Sequence, residues 1–191
     1  MNQKNLLEVD WSKIPAPSDD GGAAHLPGTK IPSVSLSATD GTAVDLSALS
    51  GRTVVFAYPR TGEPGKVSLV DDWDMIPGAR GCTPQTCSFR DLYAELKSAG
   101  AEHVFGLSTQ SNAYQAEMAA RLHLPFPVLS DAKLDLTRAL DLPTMQVAGF
   151  TLIKRFALVV DDARISHVFY PVFPPDRNAG DVLAWLRENK S

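Results

Sequence analysis

Apolar residues recur at two periods along this chain, and the points where one gives way to the other mark its elements. Val34 to Leu36 and Val44 to Leu46 flank Asp40-Gly41, a favoured turn dipeptide, which predicts a short hairpin. Val54-Val55-Phe56-Ala57-Tyr58 is an unbroken apolar run rich in β-branched and aromatic side chains, as in a strand buried on both faces. Further on the period lengthens: Phe89, Leu92, Tyr93 and Leu96 share one helical face, with Thr83 as N-cap, Pro84 at the first helical position and Gly100 as the stop. His103 to Ser108 reads as a strand, and a helix near 112–122 carries Tyr114, Met118 and Leu122. Pro125 and Pro127 bracket an extended segment ending at Leu129, and Asp131 opens a short helix that includes Leu134 and Leu140. Phe156 to Val160 and Ile165 to Tyr170 form a hairpin across Asp161-Asp162-Ala163-Arg164, and a last helix near 178–189 buries Val182, Leu183 and Leu186.

Strand, helix, strand in that order implies parallel pairing. With the hairpins added, the expected class is α/β, a mixed central sheet flanked by helices. Residues 1–27 read as an N-terminal extension, whose second half is loop because of Pro15, Pro17, Asp19, Asp20, Gly21 and Gly22. Leu6, Leu7 and Trp11 would pack on the domain surface or on a partner subunit, or else the arm is loosely held. Residues 28–191 form one domain, since a chain of 191 residues with 44% hydrophobic content can bury one full core. A net charge of −4 makes no electrostatic case for nucleic acid or membrane binding. No apolar run is long enough to span a bilayer, and Met1 to Asn5 lead into no signal-peptide core, so the cytoplasm is expected.

The candidate chemistry lies in the two cysteines, Cys82 and Cys87. Cys82 stands at the mouth of a predicted helix, where unpaired N–H groups and the positive dipole end favour a thiolate and hence a nucleophile. Cys87 follows five residues later, and intact helix would hold the two Cα atoms about 8 to 9 Å apart, beyond the roughly 7 Å a disulfide allows. If the two pair, the first turns must unwind. Such a pair also fits two small core residues. A zinc set is poorly supported, because there is no Cys-x-x-Cys and His25, His103, His123 and His167 are scattered. The missing Cys-x-x-Cys likewise argues against a general thiol-disulfide exchanger.

Tyr58-Pro59 and Pro77-Gly78-Ala79-Arg80-Gly81-Cys82-Thr83-Pro84-Gln85-Thr86-Cys87-Ser88-Phe89-Arg90-Asp91 together resemble the active-site region of the Q-type, or bacterioferritin-comigratory-protein-type, peroxiredoxins. The resemblance, weaker outside this stretch, runs from about residue 28 to the C-terminus. It implies a thioredoxin-like fold and a thiol peroxidase acting on hydrogen peroxide and organic hydroperoxides. Cys82 would be the peroxidatic cysteine and Cys87 the resolving one, closing an intramolecular disulfide that thioredoxin or a similar dithiol reduces. An arginine at a strand start is by itself a solvated charge. Lys154-Arg155-Phe156-Ala157-Leu158-Val159-Val160-Asp161, however, resembles the family strand whose arginine, here Arg155, contacts the sulfur. Pro59 would shield the sulfur, while Gln85 and Arg90 would hold the wound helix. No metal or organic cofactor is implied, and the chain would be a monomer or homodimer.

Two departures from the family pattern stand out. Twenty-two residues, Arg60 to Gly81, separate Pro59 from Cys82 where the family has only a few, and Ala79 occupies the place of the family threonine. Thr61 or Thr83 would have to supply the missing hydroxyl, and the insertion is expected to form one rim of the site through Trp73 and Ile76. These departures leave room for a second expectation, a redox-sensing or partner-binding module that uses the same switch without fast turnover. Ser166 to Asp176 resembles a segment of another peroxiredoxin branch, and its aromatics are expected in the core.

Overall fold

The computed structural model describes residues 9–190. Leu6 and Leu7 of the expected extension lie outside them. Nine strands and five α-helices run in the order β1 (Ser35–Ala38), β2 (Ala43–Asp45), β3 (Arg52–Ala57), α1 (Cys82–Asp91), α2 (Tyr93–Ser98), β4 (His103–Ser108), α3 (Asn112–Arg121), β5 (Val128–Ser130), α4 (Asp135–Ala139), β6 (Thr144–Val147), β7 (Phe150–Ile153), β8 (Phe156–Asp161), β9 (Arg164–Phe169) and α5 (Asn178–Glu188). Seven strands form one mixed sheet in the order β2-β1-β5-β4-β3-β8-β9, with β3, β4 and β5 parallel and the rest antiparallel.

β3 lies between β4 and β8 and is buried along its whole length, which is why its sequence shows no polar alternation. Its side chains feed two cores. Val55 and Ala57 join Leu26, Ile31, Leu36, Phe105, Leu136 and Leu158 on one face of the sheet. Val54, Phe56 and Tyr58 join Phe89, Met118, Val182 and both cysteines on the other, beneath α1, α3 and α5. Phe89 of α1 stacks on Phe56 of β3 at 4.1 Å between ring centroids, and this contact seats the cysteine-bearing helix on the central strand.

Several elements differ from the sequence reading. The helix at the cysteines begins at Cys82, so neither Thr83 nor Pro84 holds its expected cap position. The cap is Gly81 at φ 105°, a left-handed conformation that suits glycine and lets the chain enter the helix without a side-chain cap. The helix also breaks at Leu92 before α2. Asp131 does not open a helix, since Leu134 is left-handed and α4 starts at Asp135. Its buried carboxylate nevertheless accepts from the amides of Leu136 and Thr137, five and six residues on.

A small hairpin, β6–β7, went unpredicted. It turns at Ala148 and Gly149, both at positive φ, a pair suited to a tight hairpin turn. Val147 and Leu152 from it pack with Trp73 and Ala79, so hairpin and insertion bury each other's apolar faces. The aromatics at and after the end of β9 line the core's edge: Phe169 and Tyr170 pack against the two cores with partial exposure, Phe173 is half-buried, and Val172 is buried. Ala23 and Leu26, at the end of the extension, belong to the main core.

Candidate active site

Gly81 turns the chain into α1 so that Cys82 occupies the first helical residue, with the free N–H groups of the first turn around it. Cys82 is buried, yet it floors a small cavity of about 40 Å³ walled by Arg60, Gly62, Ser68, Trp73, Arg80, Gly81, Thr83 and Pro84. Arg60, Gly62, Ser68, Trp73, Arg80 and Gly81 all belong to the insertion, which therefore forms the expected rim. Trp73 contributes to it directly, whereas Ile76 packs behind in the Trp73–Ala79 cluster.

Arg155 precedes β8 and comes up beside the sulfur. Its Nη2 donates to Cys82 Sγ at 3.3 Å and lies 3.1, 3.3 and 3.1 Å from the carbonyl oxygens of Gly78, Ala79 and Arg80. A guanidinium is planar and permanently charged, so this cradle aims a fixed positive charge at the sulfur. Nη1 donates to Gln85 Oε1 at 2.5 Å, and Nε is buried without a hydrogen-bond partner among the described residues. Gln85 in turn donates from Nε2 to Asn178 Oδ1 at 2.9 Å and, more weakly, to the carbonyl of Ala57. A fully buried amide thus ties the guanidinium, the end of β3 and the start of α5 to the reactive helix. Asn178 escaped sequence reasoning, since an asparagine in a helix start looks like an ordinary capping residue.

Cys87 has different surroundings. Burial pushes its thiol above the ordinary range, Arg90 and Arg121 pull it down, and Asp91 adds to the rise. Both cysteines are free, and the helix between them is wound. Arg90 pairs with Asp91 and donates from Nη1 to the carbonyl of Leu122 at 3.0 Å, which fastens the end of α1 to the end of α3. Burial, with a smaller contribution from charge at Cys82, holds the Tyr58 phenol protonated, and it donates to Gln115 Oε1 at 2.9 Å.

The structure does not bring every expected residue to the sulfur. Thr61 is buried with its hydroxyl committed to Gln110 Oε1 at 3.1 Å, and its carbonyl accepts from Tyr114. Its hydroxyl is thus spent on the loop after β4, and the neighbours Arg60 and Gly62 face the cavity instead. Thr83 does wall the cavity and makes no side-chain hydrogen bond among the described residues. Pro59 is buried at the end of β3, its carbonyl accepting from Ser108 at 3.3 Å, and is absent from the cavity wall. Ala79 turns its methyl into the Trp73, Val147 and Leu152 cluster while its carbonyl faces Cys82 Sγ at 3.5 Å. The group that residue 79 offers the sulfur is therefore its backbone oxygen. Among the described residues no group of three or more His, Cys, Asp or Glu is arranged to hold a metal, and no helix is long and apolar enough to cross a membrane.

A family profile described as Redoxin matches residues 26–183. The chloroplastic peroxiredoxin Q of Oryza sativa subsp. japonica is 33% identical over 162 residues, 84% of this chain and 66% of the rice protein, so the chain spans just under two thirds of that relative's length. The crystal structure of peroxidoxin BcpB from Mycobacterium tuberculosis superposes with a TM-score of 0.69 at 28% identity, covering 86% of this chain and 98% of that one. A Xanthomonas campestris bacterioferritin comigratory protein, described for its alkyl peroxide reduction activity, superposes with a TM-score of 0.65 at 25% identity, covering 86% and 96%. The mixed sheet flanked by helices expected from the order of elements, and the thioredoxin-like fold implied by the resemblance, are shared with these structures.

Proposed function

The chain belongs to the Q-type peroxiredoxins of the redoxin family, and from that membership we propose that it is a thiol peroxidase whose peroxidatic residue is Cys82. The observation that carries the reading is the Arg155 guanidinium 3.3 Å from Cys82 Sγ at the first residue of α1, under a cavity open to solvent. The Cys82 thiolate attacks one oxygen of a hydroperoxide. The O–O bond breaks, the sulfur is oxidised to a sulfenic acid, and the other oxygen leaves with a proton as water or an alcohol. Negative charge moves from sulfur to the leaving oxygen during this step, and Arg155 stabilises it along that path. Thr83 supplies the hydroxyl on the cavity wall. Pro59 and the Thr61–Gln110 bonds shape the loop beneath. The cavity of about 40 Å³ admits a molecule about the size of two or three waters, so hydrogen peroxide enters directly and bulkier organic hydroperoxides displace the insertion.

The first turns of α1 then unwind, and the Cys87 thiol condenses with the sulfenic acid. An S–S bond forms, the S–O bond breaks and water leaves. Thioredoxin or a similar dithiol reduces the bridge, taking the disulfide onto itself. Such a cycle belongs in a reducing compartment, and the cytoplasm is our assignment. The test is rapid mixing of reduced protein with one equivalent of hydrogen peroxide, followed by thiol titration and peptide mapping. Fast loss of both thiols to a Cys82–Cys87 bridge is expected. Loss no faster than for a free cysteine would replace the peroxidase with a redox-sensing module.

A further inference from the structure

The N-terminal arm reaches the reactive helix. Trp11 sits in a single 3₁₀ turn, Trp11–Lys13, capped by the Asp10 carboxylate. Its ring meets Phe173 edge-on at 5.9 Å between centroids, and its Nε1 donates to Asp176 at 3.0 Å. The same ring lies against the backbone at Gly81, where a Cβ would stand 2.7 Å from Trp11 Cη2 and 2.6 Å from Pro175 Cγ. No side chain fits there, so Trp11 and Pro175 together press on the residue that caps α1, one position before Cys82. Further along, Pro17 lies over Gly78. Asp20 accepts from Lys154 at 2.5 Å and from the Tyr170 hydroxyl at 2.6 Å, which ties the arm beside Arg155 and to the end of β9. The arm therefore straps the segment 78–81, in which the carbonyls of Gly78, Ala79 and Arg80 hold Arg155.

We propose that Trp11, anchored by Asp176, is a positioning residue for the resolving step: by holding Gly81 it keeps the first turn of α1 wound and sets how long the Cys82 sulfenic acid waits for Cys87. The inference rests on the peroxidase cycle proposed above. A waiting sulfenic acid has two fates. It condenses with Cys87, or its sulfur attacks a second hydroperoxide, whose O–O bond breaks to leave a sulfinic acid and release water or an alcohol. The strap raises the share of the second fate at high peroxide and makes the enzyme self-limiting.

The experiment compares the full chain with Trp11→Ala, Trp11→Phe and Asp176→Asn. Amide hydrogen exchange of Gln85, Thr86 and Cys87 in the reduced proteins reads the turn without any peroxide. It should quicken about tenfold in Trp11→Ala, less in Trp11→Phe, whose shorter ring lacks the atom nearest Gly81, and least in Asp176→Asn, which keeps the indole in place, while β3, β4 and β8 amides stay as they are. Under excess hydrogen peroxide, Trp11→Ala should form the disulfide about tenfold faster and show a several-fold smaller sulfinic acid mass peak. Unchanged exchange at the three amides, a rise shared with the sheet, or an unchanged sulfinic share beside faster exchange would each overturn the proposal. If the unmodified chain forms no sulfenic acid, the peroxidase reading fails and takes the sulfenic-acid lifetime with it, while the exchange contrast still decides whether Trp11 holds the turn.

Discussion

Cys82 and Cys87 are both buried thiols on one ten-residue helix, yet almost nothing around them is alike. Cys82 faces a guanidinium at 3.3 Å, a carbonyl at 3.5 Å and a cavity that opens to solvent. Cys87 sits against the apolar layer under α1, where burial raises its thiol pKa and the nearby charges oppose one another. The helix supplies both sulfurs, but their surroundings are built by chain from elsewhere, the insertion and the start of β8 at Cys82 above all, and the proposed division of labour rests on that difference. What distinguishes two identical side chains here is therefore a tertiary property.

The widest break in this comparison comes from removing each sulfur in turn. Cys82→Ser should lower peroxide consumption at least about a thousandfold, because the proposed mechanism gives the nucleophilic chemistry to this sulfur alone. Cys87→Ser should leave the first oxidation unchanged and stop at a sulfenic or sulfinic acid, seen as a gain of one or two oxygens by intact mass. Equal losses in both variants would mean that the two thiols are not specialised.

Arg155 is the next largest difference. Replacing it with Met removes a charged donor preorganised at the reacting sulfur, which predicts a fall of about 10² to 10³ in the second-order rate with peroxide. Arg155→Lys should recover only part, since a point charge cannot bridge Gln85, three carbonyls and the sulfur at once. Stopped-flow tryptophan fluorescence during oxidation reads both.

Ala79 sharpens the comparison from the other side. Because its methyl faces Trp73, Val147 and Leu152, Ala79→Thr would drive a hydroxyl into an apolar cluster instead of toward the sulfur. Chemical denaturation should show a loss of about 1 to 3 kcal/mol, with no gain in peroxidase rate. A faster variant would show that the hydroxyl had reached the sulfur after all.

How much of this was legible follows from the same division. The main strands, the place of Cys82 at a helix start and that of Arg155 before β8 could be read because each is encoded locally, by an apolar run, a helix mouth and a strand-opening motif. The β6–β7 hairpin was missed because its strands are short and show no clean alternation, Val147 being followed by Ala148 and Leu152 by Ile153, and because its apolar face is only half a core until Trp73 covers it. Thr61 was expected at the sulfur from its place in the chain. The loop instead turns its hydroxyl to Gln110, which no local pattern announces. Asn178 and Trp11 act across roughly 90 and 70 residues of sequence, respectively, so their parts appear only once α5 and the arm close on α1.

The smallest effect tests the apolar setting of Cys87 through pH. Its folded-state pKa lies above the ordinary value of 9.0, so the folded chain holds this proton more tightly than the unfolded chain does. The protonated thiol's contribution to stability is then complete below pH 9.0 and declines as pH rises from there through the folded-state pKa. Cys87→Ala has no such proton to lose. The difference in Tm between the unmodified chain and Cys87→Ala should therefore be constant from pH 7 to 8 and shrink above about 9, by a degree or two. A difference that grows with pH would mean that Arg90 and Arg121 outweigh burial at Cys87. The two sulfurs would then be more alike than their surroundings suggest.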